Sequence, residues 1–281
     1  MNDLYRSKKT KYVKNITNDK IVPKIEITAL FGSEDLSGKK GGSITSSEYS
    51  SVTFDVVYSS HFIEHIPVDQ IEFFFNDVYR ILKPGGLIRL VTPDLEFLNN
   101  EYKVNYDKKA FKKANFITSL TIDQCVRSVS GGKLKKDMDN FYNSNDSEMI
   151  DYIKLLIGPE AFEYIDSNDS TFFKKVLSKI TKDPKFIFNI LFMIRVKIFS
   201  FFLPKSFREL NLSNASIGEK HMWLYDLNSL SELLKNSSFI DINRPNFNES
   251  NYHNYIFSKL DIKNSLPRKG IHQLFVEAFK K

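Results

Sequence analysis

The stretch FDVVYSSHFIEHIPVDQIEFFFNDVYRILKPGGLIRLVTPD, residues 54–94, decides the fold. Its first seven residues, Phe54–Ser60, are short, apolar and rich in β-branched side chains, which predicts a strand buried on both faces. Pro67 and Asp69 then predict the opening of a helix, where a proline is tolerated and a carboxylate favours the positive end. Ile71, Phe74, Phe75, Val78, Ile81 and Leu82 recur at helical spacing and give that helix a wide apolar face. Pro84, Gly85 and Gly86 stop it, and residues 87–92 read as a second buried strand. Strand, crossover helix and strand make a βαβ unit, and hence a parallel sheet.

Composition allows such a domain and narrows its partners. With 281 residues the chain can bury a sizeable core, and 42% hydrophobic with 26% charged residues is ordinary for a soluble globular protein. The 25 Phe and 13 Tyr argue for an aromatic-rich interior rather than disorder. The net charge of +6 comes from lysines scattered through the chain, which reads as a solvated basic surface and makes nucleic acid a weak candidate partner. One cysteine, Cys125, cannot close an intramolecular disulfide and suits a reducing compartment. The first fifteen residues lack the apolar run of a secretory signal, so the expected location is the cytoplasm.

The deciding stretch also carries a resemblance. FDVVYSSHFIEHI (54–66) followed by DVYRILKPGGLIRLVTPD (77–94) resembles the middle of a class I S-adenosylmethionine-dependent methyltransferase, closest to the type 11 branch. EKHMWLYD (219–226), FNESNYHNYIFSKLD (247–261) and HQLFVEAF (272–279) resemble later phrases of the same family. The resemblance implies an α/β fold with a Rossmann-like, mostly parallel sheet, and S-adenosylmethionine as cofactor. It implies methyl transfer to a hydroxyl, carboxyl or amine of a small molecule or glycan precursor. It places Ser59, Ser60 and His61 beside the cofactor and makes His61 the first choice of base, with His65 and His221 near the same cleft. Asp94, Trp223 and Tyr225 become candidates for the substrate side. Each position has a plainer use: His61 and Asp94 as helix caps, Trp223 and His221 as core, Asp55 as a structural carboxylate.

The chain departs from the family pattern upstream. No G-x-G and no strand–turn–helix precede Phe54, although glycine there lets the backbone approach a ligand closely. The expected fold is therefore N-terminally short. The alternative function is that of a non-catalytic, truncated methyltransferase-like protein acting as a partner or interaction module.

Residues 1–20 read as a polar arm, residues 21–30 as a short strand, and residues 32–51 as a Gly- and Ser-rich loop. Residues 101–218 read as a helical insertion before the last two strands, with helices near residues 107–120 and 148–157, all within a single domain of residues 1–281. Inside it, residues 186–203 form an apolar, basic-flanked run that suits either a lid over the acceptor or a helix lying on a membrane surface. Asp226 is placed to cap a helix bearing Leu227, Leu230, Leu233 and Leu234, and residues 239–247 and 272–279 read as strands.

His61, Glu64 and His65 also spell H-x-x-E-H, a zinc peptidase signature when it lies on a helix. Pro67 leaves little room for that helix and the sequence offers no third ligand, so no metal set is assigned.

Overall fold

The computed structural model describes residues 54–158, 220–252 and 257–281, the backbone of 25–29, and positions 195, 198, 199 and 201–204. The polar arm, the Gly/Ser-rich loop and most of residues 186–203 lie outside the described residues. No helix among the described residues is long and apolar enough to cross a membrane.

A five-stranded sheet organises the protein: β1 (Ile25–Ala29), β2 (Phe54–Ser60), β3 (Leu82–Pro93), β4 (Phe239–Asn243) and a strand Gln273–Lys280 that follows a minor hairpin. The hairpin pairs β5 (Ile262–Lys263) with β6 (Leu266–Pro267), so the strand after it is β7. The order across the sheet is β1-β2-β3-β7-β4. β1, β2 and β3 pair in parallel; β7 runs antiparallel to both β3 and β4, so it alone opposes the other four. The sheet is thus mostly parallel and Rossmann-like, as the sequence implied.

Helix α1 (Ile71–Ile81) is the crossover between β2 and β3, and it buries Ile71, Phe74, Phe75, Val78 and Ile81 against the sheet. These pack with Phe54, Val57, Leu90, Leu230, Leu234, Leu274 and Val276 into the main core. Each side chain of this size removed from water is worth roughly 1.5–3 kcal/mol, so the face that periodicity predicts is also the face that holds the sheet.

Two boundaries differ from the sequence reading. α1 begins at Ile71, not at Pro67: residues 68–70 form a turn closed by Gln70 N donating to Pro67 O, and the helix has no side-chain cap. β3 begins at Leu82, because Phe54 pairs with Leu82 while Val56 pairs with Leu87. The Lys83–Gly86 segment is therefore looped out as a bulge inside the strand, with Gly85 at φ +73° and Gly86 pressed against backbone. A proline with two glycines both ends the helix and makes this bulge.

After β3 the chain turns helical. α2 (Leu95–Asp107), α3 (Phe111–Thr118), α4 (Gly132–Asn143) and α5 (Ser147–Ile157) enclose their own core of Leu98, Phe116, Ile117, Met149, Ile153 and Leu156. α3 runs on through a π turn, Ser119–Asp123. α4 lays Leu134, Met138 and Phe141, at helical spacing, against this core, although the sequence reading names no helix there. α6 (Leu227–Asn236) opens with a reciprocal capping box between Asp226 and Ser229 and buries Leu230 and Leu234. β4 ends at Asn243, short of the expected residue 247, where Arg244 turns away to pair with Asp94.

Candidate functional site

Parallel strands present their carboxyl ends to one side of an open sheet, where ligands bind. On this side β2 ends at Ser60 beside Ala29 of β1, and β3 ends at Pro93. His61 follows β2 with φ +51°, a left-handed conformation that histidine adopts more readily than bulkier or branched residues. Its backbone N–H donates to Val91 O at 2.8 Å, fastening the turn to the neighbouring strand. A single 3₁₀ turn, Ile63–His65, comes next. With so little helix, and with His61 outside it, the H-x-x-E-H residues do not line up as the two imidazoles of a zinc peptidase.

The turn instead points Glu64 inward. Its carboxylate is fully buried, with Oε2 accepting from Thr92 Oγ1 at 3.2 Å and Oε1 lying 3.2 Å from His61 Nδ1. Burial alone would raise this carboxyl; contact with His61, and the fields of His221 and His65, outweigh it and hold the pKa at about 2.

A distant segment closes over the turn. Glu64 O accepts from Met222 N at 2.6 Å and from Trp223 N at 3.2 Å, and His221 N donates to Gln124 O. His65 Nδ1 meets Lys220 O at 2.9 Å, and the His65 and His221 rings meet edge to face, 4.9 Å between centroids. Burial drives the pKa of His221 down to about 3, so its ring is neutral at ordinary pH. The three predicted histidines thus gather around one buried carboxylate.

The remaining candidates divide. Ser59 is buried with its hydroxyl unpartnered among the described residues, as is His61 Nε2, while Ser60 is partly exposed. Asp94 is fully buried; one oxygen caps α2 at Phe97 N and the other holds Arg244 at 2.6 Å. Its carboxylate is engaged on both sides, as the plainer reading of a helix cap had it. Tyr225 is buried and forms a bridge with Asp94, whereas Trp223 is half exposed and so is not a core tryptophan. Beside them an open cleft of about 350 Å³ is lined by Leu95, Glu96, Asn99, Asn100, Asp226 and Asn228. Asp55, as expected of a structural carboxylate, pairs with Lys83 at 2.8 Å.

Sequence reasoning missed a second polar cluster on the other face of the sheet. Arg89 is fully buried between Glu277 at 2.6 Å and Asp261 at 2.9 Å, and Tyr58 donates to Asp261. Ser250 donates its hydroxyl, and Asn251 its N–H, to Glu277. The signal was present: a lone arginine in LIRLVT and a lone glutamate in LFVEAF must pair if both strands are buried.

Residues 32–90, about a fifth of the chain, match the family model described as a methyltransferase domain. No curated protein matches the chain. Among solved structures, a possible exported protein from Bordetella parapertussis is similar at 11% identity, TM-score 0.27, over 82% of this chain and 40% of that one. Phosphoethanolamine N-methyltransferase 2 of Haemonchus contortus is similar at 14% identity and TM-score 0.28, over 83% of this chain. One of its structures holds phosphomonomethylethanolamine and S-adenosylhomocysteine, with 35% of that chain covered; another holds S-adenosyl-L-methionine, with 34% covered. The chain spans well under half the length of these structures, and the scores are too low for a likeness of fold to follow from them.

Proposed function

We propose that this chain transfers a methyl group from S-adenosylmethionine to a hydroxyl, carboxyl or amine of a small molecule or glycan precursor; the match of residues 32–90 to a methyltransferase domain supports the reading. The observation that carries the reading is the Glu64–His61 pair at the carboxyl end of β2. With Nδ1 facing a buried, ionised carboxylate, His61 keeps its proton on that nitrogen and leaves Nε2 as a lone pair.

The cofactor fits the residues that surround it in this reading. Ser59 Oγ and His61 Nε2 are buried polar atoms without partners among the described residues, and such atoms call for a ligand or water. Ser59, Ser60 and His61 would hold S-adenosylmethionine, which supplies an electrophilic methyl group on a sulfonium. The chain contributes position and a proton acceptor. Trp223 offers an exposed aromatic face to an acceptor and Tyr225 a buried hydroxyl beside it, while Asp94 and Arg244 brace α2 at the mouth of the cleft. His61 Nε2 receives the acceptor's proton when the nucleophile is a hydroxyl, and Glu64 stabilises the imidazolium that results.

Isothermal titration of the folded chain with S-adenosylmethionine and S-adenosylhomocysteine tests the reading. Saturable micromolar binding that weakens in Ser59→Val supports it. No heat at millimolar ligand would overturn it and favour the non-catalytic alternative.

A further inference from the structure

The donor atoms of Glu64, His65 and His221 all lie within 4.8 Å of one another, and this group alone among the described residues has the make-up of a metal site. We propose that these three side chains bind a divalent transition ion of the zinc class, with one coordination position left to water or a small ligand.

Three features carry the assignment. His65 is oriented as a ligand is: Nδ1 donates to Lys220 O at 2.9 Å, which fixes the tautomer and leaves Nε2 free. His221 is buried, its Nδ1 without a partner among the described residues, and its ring lies against that of His65 beside the buried Glu64 carboxylate. Glu64 is braced by Thr92 and His61, the pattern of outer contacts that steadies a ligating carboxylate.

Two imidazoles and one carboxylate suit zinc and leave the fourth tetrahedral position to water or substrate. Ligands about 2.0–2.2 Å from such an ion sit roughly 3.4 Å apart, so the group must close by about an ångström, which rotation of the partly exposed His65 ring can supply. The third ligand is not apparent in sequence because His221 lies far along the chain, brought in by the backbone bonds from Met222 and Trp223 to Glu64 O. With the ion bound, His65 and His221 are ligands and His61 alone is left to carry protons.

The test uses the tag-free chain, dialysed against a chelator and titrated with Zn²⁺ or Co²⁺ in the absence of any cofactor. Its outcome is therefore separate from that of the methyl-transfer reading. The expected result is one equivalent of metal per chain, with a visible Co²⁺ spectrum of a low-coordinate N/O site. His65→Gln and His221→Gln should each weaken binding by roughly 100-fold or more, and His61→Gln by about 10-fold, as losses of bracing contacts do. Should His221→Gln misfold by circular dichroism, the partly exposed His65→Gln carries the test alone. Uptake below a tenth of an equivalent, or uptake unchanged in His65→Gln, overturns the proposal.

Discussion

Arg89 and Glu277 stand directly opposite each other on β3 and β7, and their side chains close a 2.6 Å ion pair from which water is excluded. Each would be costly alone in a buried sheet. Asp261, Ser250 and the rings of Phe257 and Phe275, 4.9 and 5.2 Å from the guanidinium, complete its surroundings. Removing one partner strands the other: Glu277→Ala is expected to destabilise by about 3–5 kcal/mol, seen as a lower denaturant midpoint. Arg89→Lys should recover little, because one ammonium cannot serve two carboxylates in the guanidinium's fork geometry. A loss under 1 kcal/mol in Glu277→Ala would show the pair to be dispensable.

Acid should unfold the protein earlier than its composition suggests. Burial lowers His221 to about 3 and His272 to about 4, so both bind protons more readily when unfolded. Their contribution is present above the ordinary histidine pKa near 6.5 and is lost as pH falls toward 4 and 3. Glu64, held at about 2, adds a contribution that is present above 4.5 and lost between there and 2. Between pH 6 and 4 each histidine contributes a slope of up to about 1.4 kcal/mol per pH unit. Thermal melts across that window should show Tm falling by several degrees per unit, and His272→Gln should flatten the curve.

The cap of α6 is a separable unit. Asp226 accepts from Ser229 N at 2.7 Å while Ser229 Oγ accepts from Asp226 N at 3.1 Å. Asp226→Ala should cost about 1 kcal/mol, and Asp226→Asn a good deal less, as equilibrium unfolding would show. An alanine as stable as the wild type would mean that packing of Leu230 and Leu234 alone sets the helix.

Gly86 tests the bulge. A Cβ placed there would come within 2.8 Å of Lys83 O and 3.1 Å of Asp55 O, both backbone atoms that cannot swing aside. Gly86→Ala should therefore destabilise by about 1–3 kcal/mol, measured by urea unfolding. At Gly85 nothing lies within 4 Å, so alanine meets only the cost of φ +73° and should do less harm. Equal effects at the two positions would contradict this account.

What the sequence disclosed follows from where the information lies. The βαβ unit was legible because α1 repeats apolar residues on one face and β2 and β3 are rich in apolar, β-branched residues. The α6 cap was legible because Asp226 and Ser229 act on their own neighbours. The three histidines could be nominated one by one, yet their meeting at Glu64 depends on backbone bonds from Met222 and Trp223, which periodicity does not encode. The Arg89 cluster joins three strands, one loop and the short helix Ser258–Asp261, and its members look like stray charges when read in order. α4 is less legible because its narrow apolar stripe, Leu134, Met138 and Phe141, stands among lysines, aspartates and asparagines, and the bulge because Pro-Gly-Gly ends a helix and deforms a strand with the same residues.

The position of β7 also sets a schedule for synthesis. Arg89 leaves the ribosome 188 residues before Glu277, its partner across the sheet. At translation speeds of about 5–20 residues per second that is a delay of roughly 10 to 40 s. Throughout it, the edge of β3 that β7 covers lacks that strand, and the guanidinium can be buried only once Asp261 and Glu277 are both made. The sheet therefore closes only after β7 has been made and inserts between β3 and β4.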